Sequence, residues 1–289
     1  MSLQDNGRAG WARYGVPASG AMDDHAAEWA NRLLENPPNA SVLEILGPGA
    51  RLRFLCDAWI AVTGGKGKGP GWRAVHTQSG ELLEIGGPET GLWSYVAVKG
   101  GFESAMCLGS ASAYPRAGFG QLFRAGDVLR ATRAELALPR GVSTRVAPWT
   151  EQRDYSRPPA LRVWPGPQWN LFSDEQHSRF FAQTWMVSQQ SDRVGYRLSG
   201  EALAHDIGKS RHGSEMPPPY GGGYKELISE PVIPGTIQVP ESGQPIVTMR
   251  DGPTVGGYAK LGVVDERDIS WLAQVRPGRD VRFQLAHEI

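Results

Sequence analysis

Short apolar runs alternating with polar positions dominate the chain. SVLEIL (Ser41 to Leu46), RLRFL (Arg51 to Leu55), AWIAVTG (Ala58 to Gly64), ELLEIG (Glu81 to Gly86) and WSYVAVKGG (Trp93 to Gly101) are rich in β-branched and aromatic residues and bounded by Gly or Pro. That spacing predicts strands of a sandwich or barrel. LRVWPGP, TWMVSQQ, VGYRLSG, GTIQVP, QPIVTM and VRFQLAHE repeat the rhythm in the second half. Closure into barrels hides many strand edges at once. Helical periodicity is confined to three places. Asp23 or Asp24 caps DDHAAEWANRLLEN, which stops at Pro37-Pro38; Ser173 and Gln176 form a capping box over SDEQHSRFFAQ; Asp265 opens DERDISWLAQVR, which ends at Pro277-Gly278. The pattern predicts a mainly β protein with a few short helices.

Between Leu138 and Pro159 the chain reads LPRGVSTRVAPWTEQRDYSRPP, with no sustained apolar period. This stretch is expected to join two halves, 1–150 and 151–289. Composition supports a turn-rich fold: 37 Gly and 22 Pro in 289 residues, about a fifth of the chain against roughly 12% on average. Thirty basic residues balance thirty acidic ones and 40% of the chain is hydrophobic, which excludes wholesale disorder and disfavours a nucleic-acid partner. No apolar run approaches bilayer-spanning length and the N-terminus carries no secretory signature, so a cytoplasmic location is expected. Cys56 and Cys107 sit in apolar contexts and are expected to be buried, reduced thiols.

Several kinds of chemistry lose support. There is no Walker phosphate loop. GGKGKGPG (Gly64 to Gly71) lacks the Lys-Ser/Thr ending, and Pro70 removes a donor, so it reads as a solvated hairpin or flexible lid. The six histidines form no metal-binding spacing, so no metal is expected, and no serine lies in a nucleophile elbow.

Three clusters of Gly, Pro and charge remain. QDNGRAGWARYGVPASGAMDD places Asp5, Arg8 and Asp23 in a turn-rich frame, where Asp5–Arg8 also reads as a structural ion pair and Asp23 as a helix cap. In SQQSDRVGYRLSG, Arg193 or Arg197, beside Tyr196, suits a small carboxylate, though Asp192 or a backbone carbonyl also suits Arg193. The third, GTIQVPESGQPIVTMRDGPTVGGYAK, carries Asp251 at a strand end followed by Gly256, Gly257 and Tyr258. That is the arrangement of a rim pocket, or of an ordinary tight turn.

QDNGRAGWARYGVPASGAMD with ANRLLENPPNASVLEI resembles the opening of the KipA-type proteins, also called allophanate hydrolase subunit 2 or biotin-dependent carboxyltransferase-like proteins, a family that includes the C subunit of bacterial 5-oxoprolinase. YVAVKGGFES, LGSASAYPRAGFG, PGPQ (Pro165 to Gln168), SDRVGYRL, PGTIQVPESGQPIV, DGPTVGGY and LAQVRPGRDVRF follow in family order. The resemblance implies two cyclophilin-like β-barrel halves, a KipI-type B subunit and an A subunit as partners, and ATP-dependent opening of 5-oxo-L-proline to L-glutamate by the complex. It also implies two alternatives: a carboxyltransferase-like or allophanate hydrolase module of a urea pathway, where carboxybiotin enters, and a non-catalytic regulatory partner of a KipI-type kinase inhibitor. Three departures stand out. The chain starts almost at Gln4, so the family's first strand is expected to be missing or supplied differently. In the segment after Gly120, QLFRAGDVL, a rim loop is expected to be shortened and its usual arginine to be absent unless Arg124 substitutes. The sequence stops at His287-Glu288-Ile289, so the helical extension that many members carry is expected to be missing.

Opening a lactam requires water to add to a poor electrophile, which ATP permits if phosphorylation of the amide oxygen creates a leaving group. On this implied chemistry Asp251 and Arg193 are the expected catalytic residues. Asp251 handles the substrate amide or a proton, Arg193 or Arg197 holds the carboxylate, and the backbone at Gly256 and Gly257 stabilises charge. Tyr258 walls the pocket, with Tyr196 and Asp23 as further substrate contacts.

Overall fold

The computed structural model describes residues 1–47, 50–67, 69–85, 89–132, 144–205 and 227–287. The chain is mainly β and divides into two compact units. One holds Met1–Ala12, Pro17–Pro158 and Ser270–Arg276; the other holds Arg13–Val16, Pro159–Ile269 and Pro277–Ile289. No helix among the described residues is long and apolar enough to cross a membrane.

The first unit contains β1 (Ser2–Gln4), α1 (Asp24–Leu33), β2 (Val42–Leu46), β3 (Ala50–Arg53), β4 (Ala58–Lys66), β5 (Arg73–Thr77), β6 (Leu82–Ile85), β7 (Thr90–Val98) and β8 (Arg145–Val146). Six strands form one antiparallel, barrel-like sheet in the order β1-β2-β7-β4-β5-β8, and β3 and β6 form a separate ribbon. A short strand runs into the Gln-Asp motif: β1 pairs with β2, Leu3 opposite Leu43. Leu3, Leu43, Ile45, Ile60, Val62, Ile85, Val96 and Val98 make one buried apolar cluster. Helix α1 packs on β4 and β7 through Ala26, Ala27, Ala30 and Leu33, and the Thr63 hydroxyl donates to the Ala26 carbonyl at 2.6 Å. The short Ala side chains let the helix approach the sheet closely, with Leu33 closing its last turn.

The second unit contains β9 (Leu161–Pro165), α2 (Asp174–Ala182), β10 (Trp185–Val187), β11 (Gly195–Ser199), β12 (Glu230–Pro231), β13 (Thr236–Val239), β14 (Ile246–Thr248), β15 (Val255–Gly256), β16 (Ala259–Val264), β17 (Asp280–Val281) and β18 (Phe283–Leu285). Eight strands run β17-β10-β11-β14-β13-β16-β9-β18, antiparallel except for β18 beside β9, and β12 pairs with β15 alone. Phe180 of α2 stacks on Phe283 with ring centroids 5.0 Å apart, and the Trp185 indole N–H donates to the Phe180 carbonyl at 3.0 Å. This plugs the α2 end of the core with aromatic rings whose one polar atom is satisfied. A third helix, α3 (Glu266–Ala273), follows β16.

The helix starts agree with the sequence reading. The Asp23 carboxylate accepts from Ala26 N–H, and the Ser173 hydroxyl accepts from Gln176 N–H. The capping box is half made, because the Gln176 side chain accepts from Ala204 N–H instead of turning back. Three other expectations change. Cys56 is exposed and Cys107 half-buried, so neither is the buried thiol anticipated. Gly64–Lys66, expected in a hairpin or lid, is the end of β4, while Lys68 lies outside the described residues. Gly64 sits at φ +92°, and a Cβ there would lie 2.4 Å from the Trp93 carbonyl oxygen, so that glycine serves close strand pairing beside a bulge. The expected connector, of which residues 138–143 lie outside the described set, contributes β8 and the buried Tyr155 to the first unit.

Candidate functional site

A concentration of buried polar chemistry in the second unit surrounds the turns after β14 and β15. At the end of β14 the chain tightens: Gly252 N–H donates to the Met249 carbonyl at 3.0 Å and Asp251 N–H to the Arg193 carbonyl at 2.8 Å. A Cβ on Gly252 would lie 2.2 Å from Thr248 Cγ2, so the turn closes only with glycine. Asp251, 6% exposed, is thereby fixed against Arg193. Arg193 Nε reaches Asp251 Oδ2 at 2.7 Å and Nη2 reaches Oδ1 at 3.0 Å. This is a two-point fork that sets the plane of the carboxylate. Asp192 does not take part. Its Oδ1 accepts from the N–H groups of Val194 and Gly195, building the loop that delivers Arg193.

A second group lies around Lys260, in the strand β16 that the apolar rhythm had not marked out. Lys260 is 2% exposed; its Nζ contacts Glu230 Oε2 and the Gly256 carbonyl oxygen, each at 3.2 Å. Glu230 arrives because β12 pairs with β15, Glu230 opposite Gly256. Gln168 completes the group: its Oε1 accepts from Lys260 N–H at 3.2 Å, which leaves Nε2 to donate to Glu230 Oε2 at 2.7 Å. The PGPQ motif explains that placement. Gly166 N–H donates to the Leu261 carbonyl at 2.9 Å, and a Cβ on Gly166 would lie 2.4 Å from the Lys260 carbonyl oxygen. Gln238 spans the two groups, donating to Thr248 Oγ1 at 3.0 Å, with its own Oε1 lying 2.5 Å from where a Gly256 Cβ would be.

Of the residues expected from the sequence, Asp251 and Arg193 are brought together, and Gly256 lies with Lys260 and Glu230. Arg193, expected to hold a substrate carboxylate, makes its fork to Asp251. Arg197 is exposed on β11, and Tyr196 beside it faces the core at 1% exposure, because strand alternation puts them on opposite faces. Gly257 is exposed and Tyr258 is 51% exposed beside Lys260, open to solvent. Asp23 belongs to the first unit. It is fully buried, with Oδ1 on Ala26 N–H and Oδ2 accepting from Tyr155 Oη at 2.6 Å and Gln274 Nε2 at 2.8 Å. Its lone pairs cap α1 and hold Tyr155 and Gln274. Burial, with the neighbouring Glu44 and Asp23 carboxylates, pushes the Tyr95 hydroxyl well above its ordinary range; burial and Asp23 do the same to Tyr155. Both tyrosines stay neutral donors. Asp5 and Arg8 do not pair. Asp5 accepts from the hydroxyls of Ser110 and Ser112 and from Ala111 N–H, while Arg8 donates to the Ser112 carbonyl.

The sequence reading missed Lys260, Glu230, Gln168 and Gln238. A signal existed for Lys260: in AKLGVV a lysine stands inside an apolar run, where a charge is retained only with a partner. Glu230 and Gln238 gave none, because pairing across β12–β15 and β13–β14 decides where they point.

A family model described as carboxyltransferase domain, subdomain A and B, matches residues 14–285. The chain belongs to that carboxyltransferase family. It is 31% identical to the C subunit of 5-oxoprolinase from Escherichia coli K12, covering 98% of this chain and 87% of that protein. The solved structure of TTHA0988 superposes with a TM-score of 0.80 at 33% identity; the present chain, 98% covered, spans about half of it, 53%. The Kluyveromyces lactis urea amidolyase structure gives a TM-score of 0.84 at 27% identity over 98% of this chain and 18% of its own. The carboxyltransferase family therefore includes both a subunit of a larger enzyme and a segment of a much longer one, and all five regions of resemblance to it in the second half fall within the matched span.

Proposed function

We propose that this chain is the C subunit of an ATP-dependent 5-oxoprolinase that converts 5-oxo-L-proline to L-glutamate together with A and KipI-type B subunits. The observation that carries the reading is the near full-length similarity to the C subunit of E. coli 5-oxoprolinase, 98% of this chain against 87% of that one. The local chemistry suits it. An arginine-held carboxylate keeps lone pairs beyond those used by the fork, so Asp251 accepts a hydrogen bond from the lactam N–H or the proton of the incoming water. Arg193 positions it. Backbone N–H groups near Gly256 and Gly257 meet negative charge developing on the amide oxygen, and Tyr258 forms an outer wall. ATP belongs to the complex: the Gly64–Lys66 stretch is engaged in strand pairing and does not fit a triphosphate cradle, so no step here runs through nucleotide.

Purified A, B and this chain, mixed with ATP and 5-oxo-L-proline, should release glutamate, and omission of this chain should stop release. Activity that persists without it, combined with tight binding to the B subunit, would replace the enzyme reading with a regulatory one. The structural likeness to urea amidolyase favours one further reading, a biotin-dependent carboxyltransferase module. That reading requires turnover to depend on a biotinylated carrier protein and urea, and such dependence would displace the lactam-opening assignment.

A further inference from the structure

Lys260 is a buried ammonium that already holds a carboxylate, and that carboxylate is far more open to water than the ammonium. The Glu230 side chain is 42% exposed against 2% for Lys260. Glu230 Oε2 is gripped from two sides, by Lys260 Nζ at 3.2 Å and Gln168 Nε2 at 2.7 Å. The grip itself is rigid. Gln168 cannot flip, because its Oε1 is bound to Lys260 N–H at 3.2 Å, and Gly166 clamps the PGPQ turn onto β16. Lys260 cannot leave, being buried and tied to the Gly256 carbonyl.

A buried ammonium stripped of its partner is strongly unfavourable, so some carboxylate stays on Lys260 at all times. Exchange of one carboxylate for another keeps the charge balance and the hydrogen bonds, while a displaced Glu230 side chain reaches solvent. Arg193 is forked to Asp251, and Lys260 is a second, buried cation in this unit. We infer that Lys260 Nζ and Gln168 Nε2 form a carboxylate-binding site, that Glu230 occupies it as an internal stand-in, and that the carboxylate of the substrate displaces Glu230. The identity of that substrate as 5-oxo-L-proline rests on the function proposed above; the site itself does not.

Two measurements test it. In the isolated full-length chain, thermal melting is titrated with sodium acetate against sodium chloride at matched ionic strength. Glu230→Gln, isosteric and uncharged at a partly exposed position, should tighten the apparent acetate affinity by about tenfold, and adding Lys260→Met should abolish the acetate effect. In the reconstituted complex, Lys260→Met should raise KM for 5-oxo-L-proline by about tenfold or more, while the inhibition constant of 2-pyrrolidinone, the same lactam without a carboxylate, moves less than about twofold. If Lys260→Met does not fold, Glu230→Gln decides alone through a lowered KM. An acetate response in Glu230→Gln equal to wild type overturns the site. A wild-type complex that releases no glutamate overturns the proposed function instead, and the acetate titration still decides the carboxylate site.

Discussion

Asp251 and Arg193 show how little of a residue's role its identity reveals. Both were expected in catalysis; the fork at 2.7 and 3.0 Å holds them together, and the proposed function gives Arg193 the positioning role. Asp251→Asn should keep the fold and partner binding while lowering turnover of the reconstituted complex at least about 100-fold; near-normal glutamate release would remove Asp251 from the mechanism. Arg193→Ala leaves a 6% exposed carboxylate without its partner, and urea unfolding should record a loss of about 3 kcal/mol. Asp265 supplies a pH signature. The Arg267 guanidinium, helped by the Trp164 indole and Arg267 N–H against the opposing effect of burial, holds its carboxyl at about 2, below the ordinary 3.8. The folded state therefore favours the ionised form. That stability is complete above about pH 4 and is lost as pH falls towards 2. Melting temperatures of wild type and Asp265→Asn should converge over that interval; parallel curves would show that Asp265 contributes no acid-labile stability.

At the scale of elements, α1 and the PGPQ turn each depend on one position. Asp23 caps α1 and also anchors Tyr155 and Gln274. Asp23→Ala should therefore cost about 2 kcal/mol or more, the upper range for an N-cap, since two further buried donors lose their acceptor. A cost of only a few tenths in denaturant titration would mean that water replaces the carboxylate. Gly166→Ala puts a Cβ 2.4 Å from the Lys260 carbonyl oxygen and must push the turn off β16. It should weaken substrate binding through Gln168 more than it lowers the melting temperature, a split visible as raised KM with kcat largely kept.

For the molecule as a whole, chain order and compact units do not coincide. Ser270–Arg276 belongs with the first unit although some hundred residues of the second precede it. Gln274 from that segment accepts from Leu92 N–H and Trp93 N–H and donates to Asp23 and the Trp93 carbonyl. A fragment of residues 1–158 should accordingly melt at least several degrees below the same fragment supplemented with a peptide covering 270–276. Equal melting would show that Gln274 is dispensable to the first unit.

What was legible in the sequence was local. Strand alternation, the Asp23 and Ser173 caps and the Gly-Pro turns are set by neighbours a few residues away, so the mainly β architecture, α1, α2 and the Asp251 turn could be read directly. The Lys260 group could not. Gln168, Glu230, Gln238 and Lys260 come from four separate strands or turns, and only the β12–β15, β13–β14 and β13–β16 pairings, with the PGPQ turn docked on β16, put their polar ends together. The same holds for Asp23, whose carboxylate is claimed by Tyr155 and Gln274, both distant in the chain. The sequence by itself determined which segments are strands and where they turn, because those preferences are short-range. The tertiary structure alone decided which charges are spent on each other and which carboxylate can leave, because burial and long-range pairing set the cost of parting them.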